Sequence, residues 1–99
     1  MDKNGYNQSI LQDKMECWVS HQHDCDLVRH EVFYGSGYRK LSKRHGLWVY
    51  LTPYWHNMSN EAVHNNKELD TKLKQFAQRK FEELYSHEEF VKIYGRSWL

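Results

Sequence analysis

Three histidines, His30, His56 and His64, constrain this chain more than any other feature, because a single divalent ion bound by all three requires three separate segments to converge. His30 sits in the β-type run Leu27–Phe33, while His56 and His64 bracket a short polar segment just after Pro53, the only proline. The spacing predicts a strand, a returning strand and a helix closing on one ion. With 99 residues the chain makes one domain with a modest core, so a metal tying distant segments together would add stability.

The surrounding pattern predicts an α+β fold. Residues 1–14 are polar, with Asn4, Gly5 and Asn7, and are expected to form a flexible N-terminal arm before a single domain over 15–99. Leu27–Phe33 reads as a strand in which His30 and Glu31 face opposite sides unless a bulge or bend re-aims one of them. Tyr34–Tyr38, rich in glycine, is a loop, and the basic stretch Arg39–Gly46 is either a helical turn or an irregular excursion. Leu47–Leu51 is the clearest strand, stopped by Thr52-Pro53 and returning antiparallel to the first. Helix starts occur at Ser59 or Asn60 and again at Asn65 or Asn66, where Asn65-x-x-Glu68 resembles a capping box. Leu69, Leu73, Phe76, Ala77, Leu84 and Tyr85 then recur at helical steps and predict a long helix over 66–85. Ser86 with Glu89 opens a short final helix that runs to Gly95.

The formal net charge is only +1, which excludes a general electrostatic pull towards nucleic acid. The sign is nevertheless uneven: residues 1–26 sum to −3 and residues 27–56 to +4, the positive charge coming from Arg29, Arg39, Lys40, Lys43 and Arg44. No apolar run reaches membrane-spanning length, and the N-terminus lacks the order of a secretion signal, which together predict a soluble cytoplasmic protein. Cys17 and Cys25 are then expected as reduced thiols, with zinc binding through His21 and His23 as the rival reading of that nine-residue segment. His21, His23 and His87 are expected in solvent, and Trp48, Tyr50, Phe76 and Phe81 in the core. His45 could touch phosphate, and Tyr34, Tyr38, Tyr54 and Trp55 could stack on bases or on a protein partner.

The segments Arg39–Ser42 (RKLS), Gly46–Leu51 (GLWVYL), His56-Asn57 and Val63–Asp70 (VHNNKELD), in that order after His30, resemble the HNH or His-Me finger nucleases. The similarity is closest to small phage-encoded HNH-type proteins and covers 27–99. It implies a ββα-metal core with a long C-terminal helix and a short final helix. It further implies one divalent ion (zinc, magnesium, manganese or nickel) on His30, His56 and His64, with DNA as the substrate. Arg39, Lys40, Lys43 and Arg44 would grip the DNA backbone, and the setting would be the bacterial host cytoplasm if the chain is phage-encoded. The family's general-base histidine falls on Glu31, and its structural asparagine has no match at Gly46-Leu47, although Asn57 can stand in.

A histidine base works because its ordinary pKa of about 6.5 lies near neutral pH, whereas a glutamate near 4.3 is weaker by roughly two units and brings a negative charge beside the phosphodiester. Desolvation can raise a glutamate towards neutrality; alternatively Glu31 can turn onto the ion as a ligand. Two functions therefore compete. One is a metal-dependent DNA endonuclease or nickase in which Glu31, or a water on the ion, supplies the base. The other is a catalytically degenerate binding protein that engages a protein partner, for example a host defence factor, or nucleic acid without cleaving it.

Overall fold

The two runs rich in β-formers pair as expected. In the computed structural model, which describes residues 1–99, β1 (Val28–Glu31) lies antiparallel to β2 (Trp48–Leu51), with Val28 opposite Leu51, Arg29 opposite Tyr50, His30 opposite Val49 and Glu31 opposite Trp48. Trp48, Val49 and Leu51 are buried, so β2 is the interior strand in side-chain terms. The fold is α+β, as the pattern predicts.

The basic stretch between the strands is a helix, α1 (Tyr38–His45), and not an irregular excursion. It stops where Gly46 takes the left-handed conformation (φ 70°), which lets the Leu47 amide turn back to donate to the Ser42 carbonyl at 2.8 Å. Ser42 explains why this helix stays on the sheet. Its buried hydroxyl donates to the Phe33 carbonyl at 2.7 Å and accepts from the Phe33 amide at 3.0 Å, satisfying both backbone groups where β1 runs out.

After Pro53 the chain makes one turn of π-helix (Tyr54–Met58) and one 3-10 turn (Val63–Asn65) before α2 (Lys67–Leu84). The helix expected from Ser59 or Asn60 does not form, and Asn65 is not a cap. Its carboxamide instead donates to the carbonyls of Asn57 (3.1 Å) and Ser59 (2.9 Å). Asn66 caps α2, accepting from the amides of Glu68 and Leu69. α2 buries Leu73, Ala77 and Phe81 at four-residue steps. The final helix, α3 (His87–Tyr94), is capped by Ser86, whose hydroxyl accepts from the Glu89 amide at 3.0 Å, and it ends at Gly95. Its Phe90 and Tyr94 pack on Phe33, with ring centroids 5.3 and 4.7 Å away, and so close the core between sheet, α2 and α3. Trp48 and Phe81 are core residues, as expected; Tyr50 and Phe76 are only half-buried, because Tyr50 lies edge-on to Trp48 and Phe76 packs against Trp18 near the surface.

Residues 1–26 contain no helix or strand, yet they lie along the edge of β2 that faces away from β1. The Ile10 amide donates to the Gly46 carbonyl, the Ser9 hydroxyl to the Trp48 carbonyl, and the Trp18 amide to the Tyr50 carbonyl, while the Gln12 side chain accepts from the Tyr50 amide. Two of these bonds come from polar side chains, Ser9 and Gln12, and two from the main chain of apolar residues, Ile10 and Trp18. Cys17 is buried and Cys25 exposed, both as free thiols, and they do not gather with His21 and His23 into a metal-ligating group. His21 instead meets Glu16 and His23 meets Asp24. No helix is long and apolar enough to cross a membrane.

Gly46 is doubly constrained, by its positive φ and by a Cβ position that collides with the Gln8 carbonyl. Gly46→Ala is expected to cost at least about 2 kcal/mol in urea unfolding. Gly35→Ala, where a Cβ meets open space, should cost less, only the strain of its own positive φ.

Candidate metal centre

Each of the three histidines is delivered by a different piece of backbone. β1 carries His30, which is 1% exposed. The π turn carries His56, whose amide donates to the Thr52 carbonyl at 2.9 Å, and the 3-10 turn carries His64. Asn65, by bonding two carbonyls of the preceding loop, folds that loop back so that His64 faces His56. The ring centroids stand 5.5 Å (His30–His56), 4.9 Å (His30–His64) and 4.7 Å (His56–His64) apart. The Nε2 atoms of His56 and His64 are 3.2 Å from each other, and one ligand atom from each of the three rings lies within 4.8 Å of the others.

The electrostatics favour neutral rings. Burial pushes the His30 pKa down to about 3, with His64 and then His56 adding repulsion. Burial also lowers His56 and His64; the nearby Glu31 and Asp70 oppose this, Glu31 at both rings and Asp70 at His64. Neutral imidazoles present lone pairs, which is the state a divalent ion requires. The buried Nε2 of His30 has no hydrogen-bond partner, an expensive condition that a ligand bond would relieve. Two nitrogens on one tetrahedral ion, each at a usual Zn–N distance, sit about 3.4 Å apart, close to the His56–His64 separation. The cluster can hold a metal ion.

The histidines open onto a cleft of about 520 Å³ also lined by Tyr6, Arg29, Glu31, Tyr34, Arg39 and Asn57. Strand alternation predicts that His30 and Glu31 point apart, but Arg29, His30 and Glu31 all border this cleft and no β2 residue does. β1 has a strand neighbour on one side only and bends directly after Glu31, so its end is free to wrap the cleft. Asn57 borders it as well, with its carbonyl held by Asn65.

The basic cluster divides. Arg39 alone reaches the histidine cleft; Lys40, Lys43 and Arg44 surround a separate hollow beside Met1, Asn4 and Gly5. Arg39 stands in the first turn of α1 beside the histidine cleft, whereas Lys40, Lys43 and Arg44 lie against the N-terminal segment. His45, considered for phosphate contact, turns inward, with Nδ1 3.1 Å from the Tyr94 hydroxyl and its ring edge-on to Phe81. Of the four aromatics considered for stacking near the site, only Tyr34 lines the cleft.

None of Tyr6, Arg29, Asp70 and Lys74, which stand at or beside the cleft, is a site candidate in the sequence. Tyr6 arrives from the polar N-terminal segment and borders the cleft with Glu31; burial first and Glu31 second raise its pKa to about 12. Arg29 lies over the Tyr6 ring at 4.4 Å and is paired with Asp2 at 2.8 Å. Asp70 accepts from the Tyr34 hydroxyl at 3.1 Å and pairs with Lys74 at 2.8 Å, one helical turn on. Tyr34 in turn packs 4.9 Å from the His64 ring. A low-burial arm and an i, i+4 pair look like ordinary surface features, so only the tertiary arrangement identifies them.

No protein-family model, curated protein or solved structure matches this chain.

Loss of one imidazole should be felt directly: His56→Ala is expected to weaken zinc binding by more than about 100-fold in calorimetric titration, exceeding the 10–100-fold typical of groups behind the ligands. The metal-free protein should also weaken in acid. The His30 pKa is lower in the fold than its ordinary 6.5, so its contribution is complete above about pH 6.5 and is lost as pH falls towards about 3. Urea midpoints measured from pH 7 to pH 4 should fall steadily, and less steeply in His30→Phe.

Proposed function

We propose that this chain is a metal-dependent phosphodiester hydrolase of the HNH type, an endonuclease or nickase acting on DNA, with Glu31 in the position of the general base. The observation that carries the reading is the composition of one cleft: three neutral imidazoles, one carboxylate and two guanidinium groups. A divalent ion and Arg39 outweigh Glu31, Arg29 being balanced by Asp2, so the cleft would attract an anion such as a phosphodiester. The segment order supports the same reading, with a histidine strand, a returning strand, a histidine turn and a long helix following one another.

The roles follow from the chemistry of each group. An ion on His30, His56 and His64 would polarise a phosphoryl oxygen and stabilise the charge that develops on it. Arg39, exposed and without a carboxylate partner, is suited to seat the phosphate, whereas Arg29, already tied to Asp2, is suited to set the local field. Glu31 would take a proton from an attacking water, with the Tyr6 hydroxyl beside it at the cleft wall.

One observation favours the second reading, a binding protein that keeps the scaffold and engages a protein partner or nucleic acid without cutting. The Tyr6 hydroxyl stands beside the carboxylate that would have to work as the base, and interaction with Glu31 helps to raise the Tyr6 pKa. Plasmid nicking separates the two. With magnesium, manganese, nickel or zinc, the wild type is expected to convert supercoiled plasmid to the nicked form, His56→Ala to abolish this, and Glu31→Gln to slow it at least about 100-fold. A silent wild type with activity gained in Glu31→His would establish the binding reading, and silence in every variant would end the hydrolase proposal.

A further inference from the structure

A second cleft, of about 290 Å³, adjoins the histidine cleft and shares Tyr34 with it. Its walls are the aromatic rings of Phe33, Tyr34, Tyr38, Tyr94 and Trp98, and two cations, Lys74 and Arg96, stand at it. Five rings around one hollow of this size are more aromatic surface than core packing requires, since Tyr38 is exposed and Tyr34 and Trp98 are only half-buried.

The cleft is built, not a chance gap at a chain end. The Trp98 main chain is clamped on both sides by α2: its amide donates to the Gln78 side chain and its carbonyl accepts from Gln75, each at 2.8 Å. Gln78 is itself fully buried and bonded to Glu82 and Ser97. The Trp98 ring is thereby set 4.8 Å from Phe33. Gly95 leaves room for Tyr38, whose hydroxyl would crowd any Cβ there at 3.3 Å.

The charges are placed for an anion between aromatic faces. The Arg96 guanidinium lies 4.6 Å over the Trp98 ring and has no carboxylate partner. The Lys74 ammonium lies 4.5 Å from the centre of Tyr34 and 5.8 Å from that of Trp98, and is neutralised by Asp70. An unpaired guanidinium beside several π faces, one wall away from three metal-competent histidines, matches the needs of an unstacked base attached to a phosphate.

We propose that this cleft is a stacking subsite for an unpaired nucleotide next to the scissile phosphate, so that the substrate is single-stranded or frayed DNA and not intact duplex. The proposal rests on the hydrolase reading for the meaning of the neighbouring site. Tyr34 and Trp98 flank the base, Tyr38 covers it from the exposed side, and Arg96 takes the phosphate. A base stacked in an intact duplex has no face to offer these rings.

The test is fluorescence anisotropy of the full chain in EDTA, with a labelled thymidine strand of about eight nucleotides and a blunt duplex of the same length. The wild type is expected to prefer the single strand. Tyr38→Ala and Arg96→Gln, both at exposed positions, should each weaken single-strand binding by about tenfold, leave weak duplex binding unchanged and keep the wild-type urea midpoint. Arg96→Gln should also flatten the salt dependence of single-strand binding by about 0.7 in log–log slope. Equal affinity for strand and duplex, or folded variants that bind the strand like wild type, would overturn the subsite. Because EDTA removes cleavage, loss of strand binding in the variants supports the subsite even if plasmid nicking fails. Nicking with unaltered variant binding would overturn the subsite alone.

Discussion

The pairing of β1 with β2 is the interaction on which the rest of this structure depends. Four residue pairs make a ribbon that is marginal by itself, and it persists because its end, its apolar face and the outer edge of β2 are all used. Ser42 anchors α1 where β1 ends, α2 and α3 cover the apolar face through Phe33 and Val49, and the N-terminal segment bonds the outer edge of β2. The register also decides the chemistry. A shift of one residue would turn His30 out of the interior and move every other side chain of β1 to the opposite face.

The site shows how local loop chemistry and long-range packing divide the work. His56 and His64 are brought together within a short loop closed by a single carboxamide, Asn65, while His30 comes from a strand 26 residues earlier in the chain. The short-range pair is held by hydrogen bonds and the distant partner by burial. Burial also keeps the three rings neutral, so the packing that completes the cluster prepares it for a cation.

The elements with strong periodic signals were legible in the sequence: the strands around His30 and Val49, the helix carrying Leu73, Ala77 and Phe81, and the Ser86 cap. The histidine cluster was legible too, from the spacing of its members and the segment resemblance, although the π and 3-10 turns that carry His56 and His64 were not. What was hidden depends on where side chains go in three dimensions. Asn65 and Asn66 are adjacent and chemically identical, and only the distance to Asn57 decides which one caps the helix and which one ties the loop. Arg39, Lys40, Lys43 and Arg44 look like one basic patch in a linear reading, but Arg39 meets the histidine cleft while the other three meet Met1, Asn4 and Gly5 of the N-terminal segment. Tyr6 had no pattern at all, being an aromatic in a polar segment whose destination is set by Trp48 and Arg29.

The way residues 9–18 lie along β2 has a further consequence for how the molecule behaves in a crowded solution. An exposed strand edge offers unpaired amides and carbonyls to any other extended chain, and β2 is rich in the aromatic and branched residues that make such pairing persistent. Here the backbone carbonyls of Trp48 and Tyr50 and the Tyr50 amide are already taken, partly by side chains of Ser9 and Gln12 and partly by the Trp18 main chain. Because side chains provide two of these three bonds, the segment never becomes a third strand with a fresh edge of its own. On the β2 side the ribbon therefore ends in a surface that cannot template sheet growth, and the protein guards this aggregation-prone strand with its least regular segment.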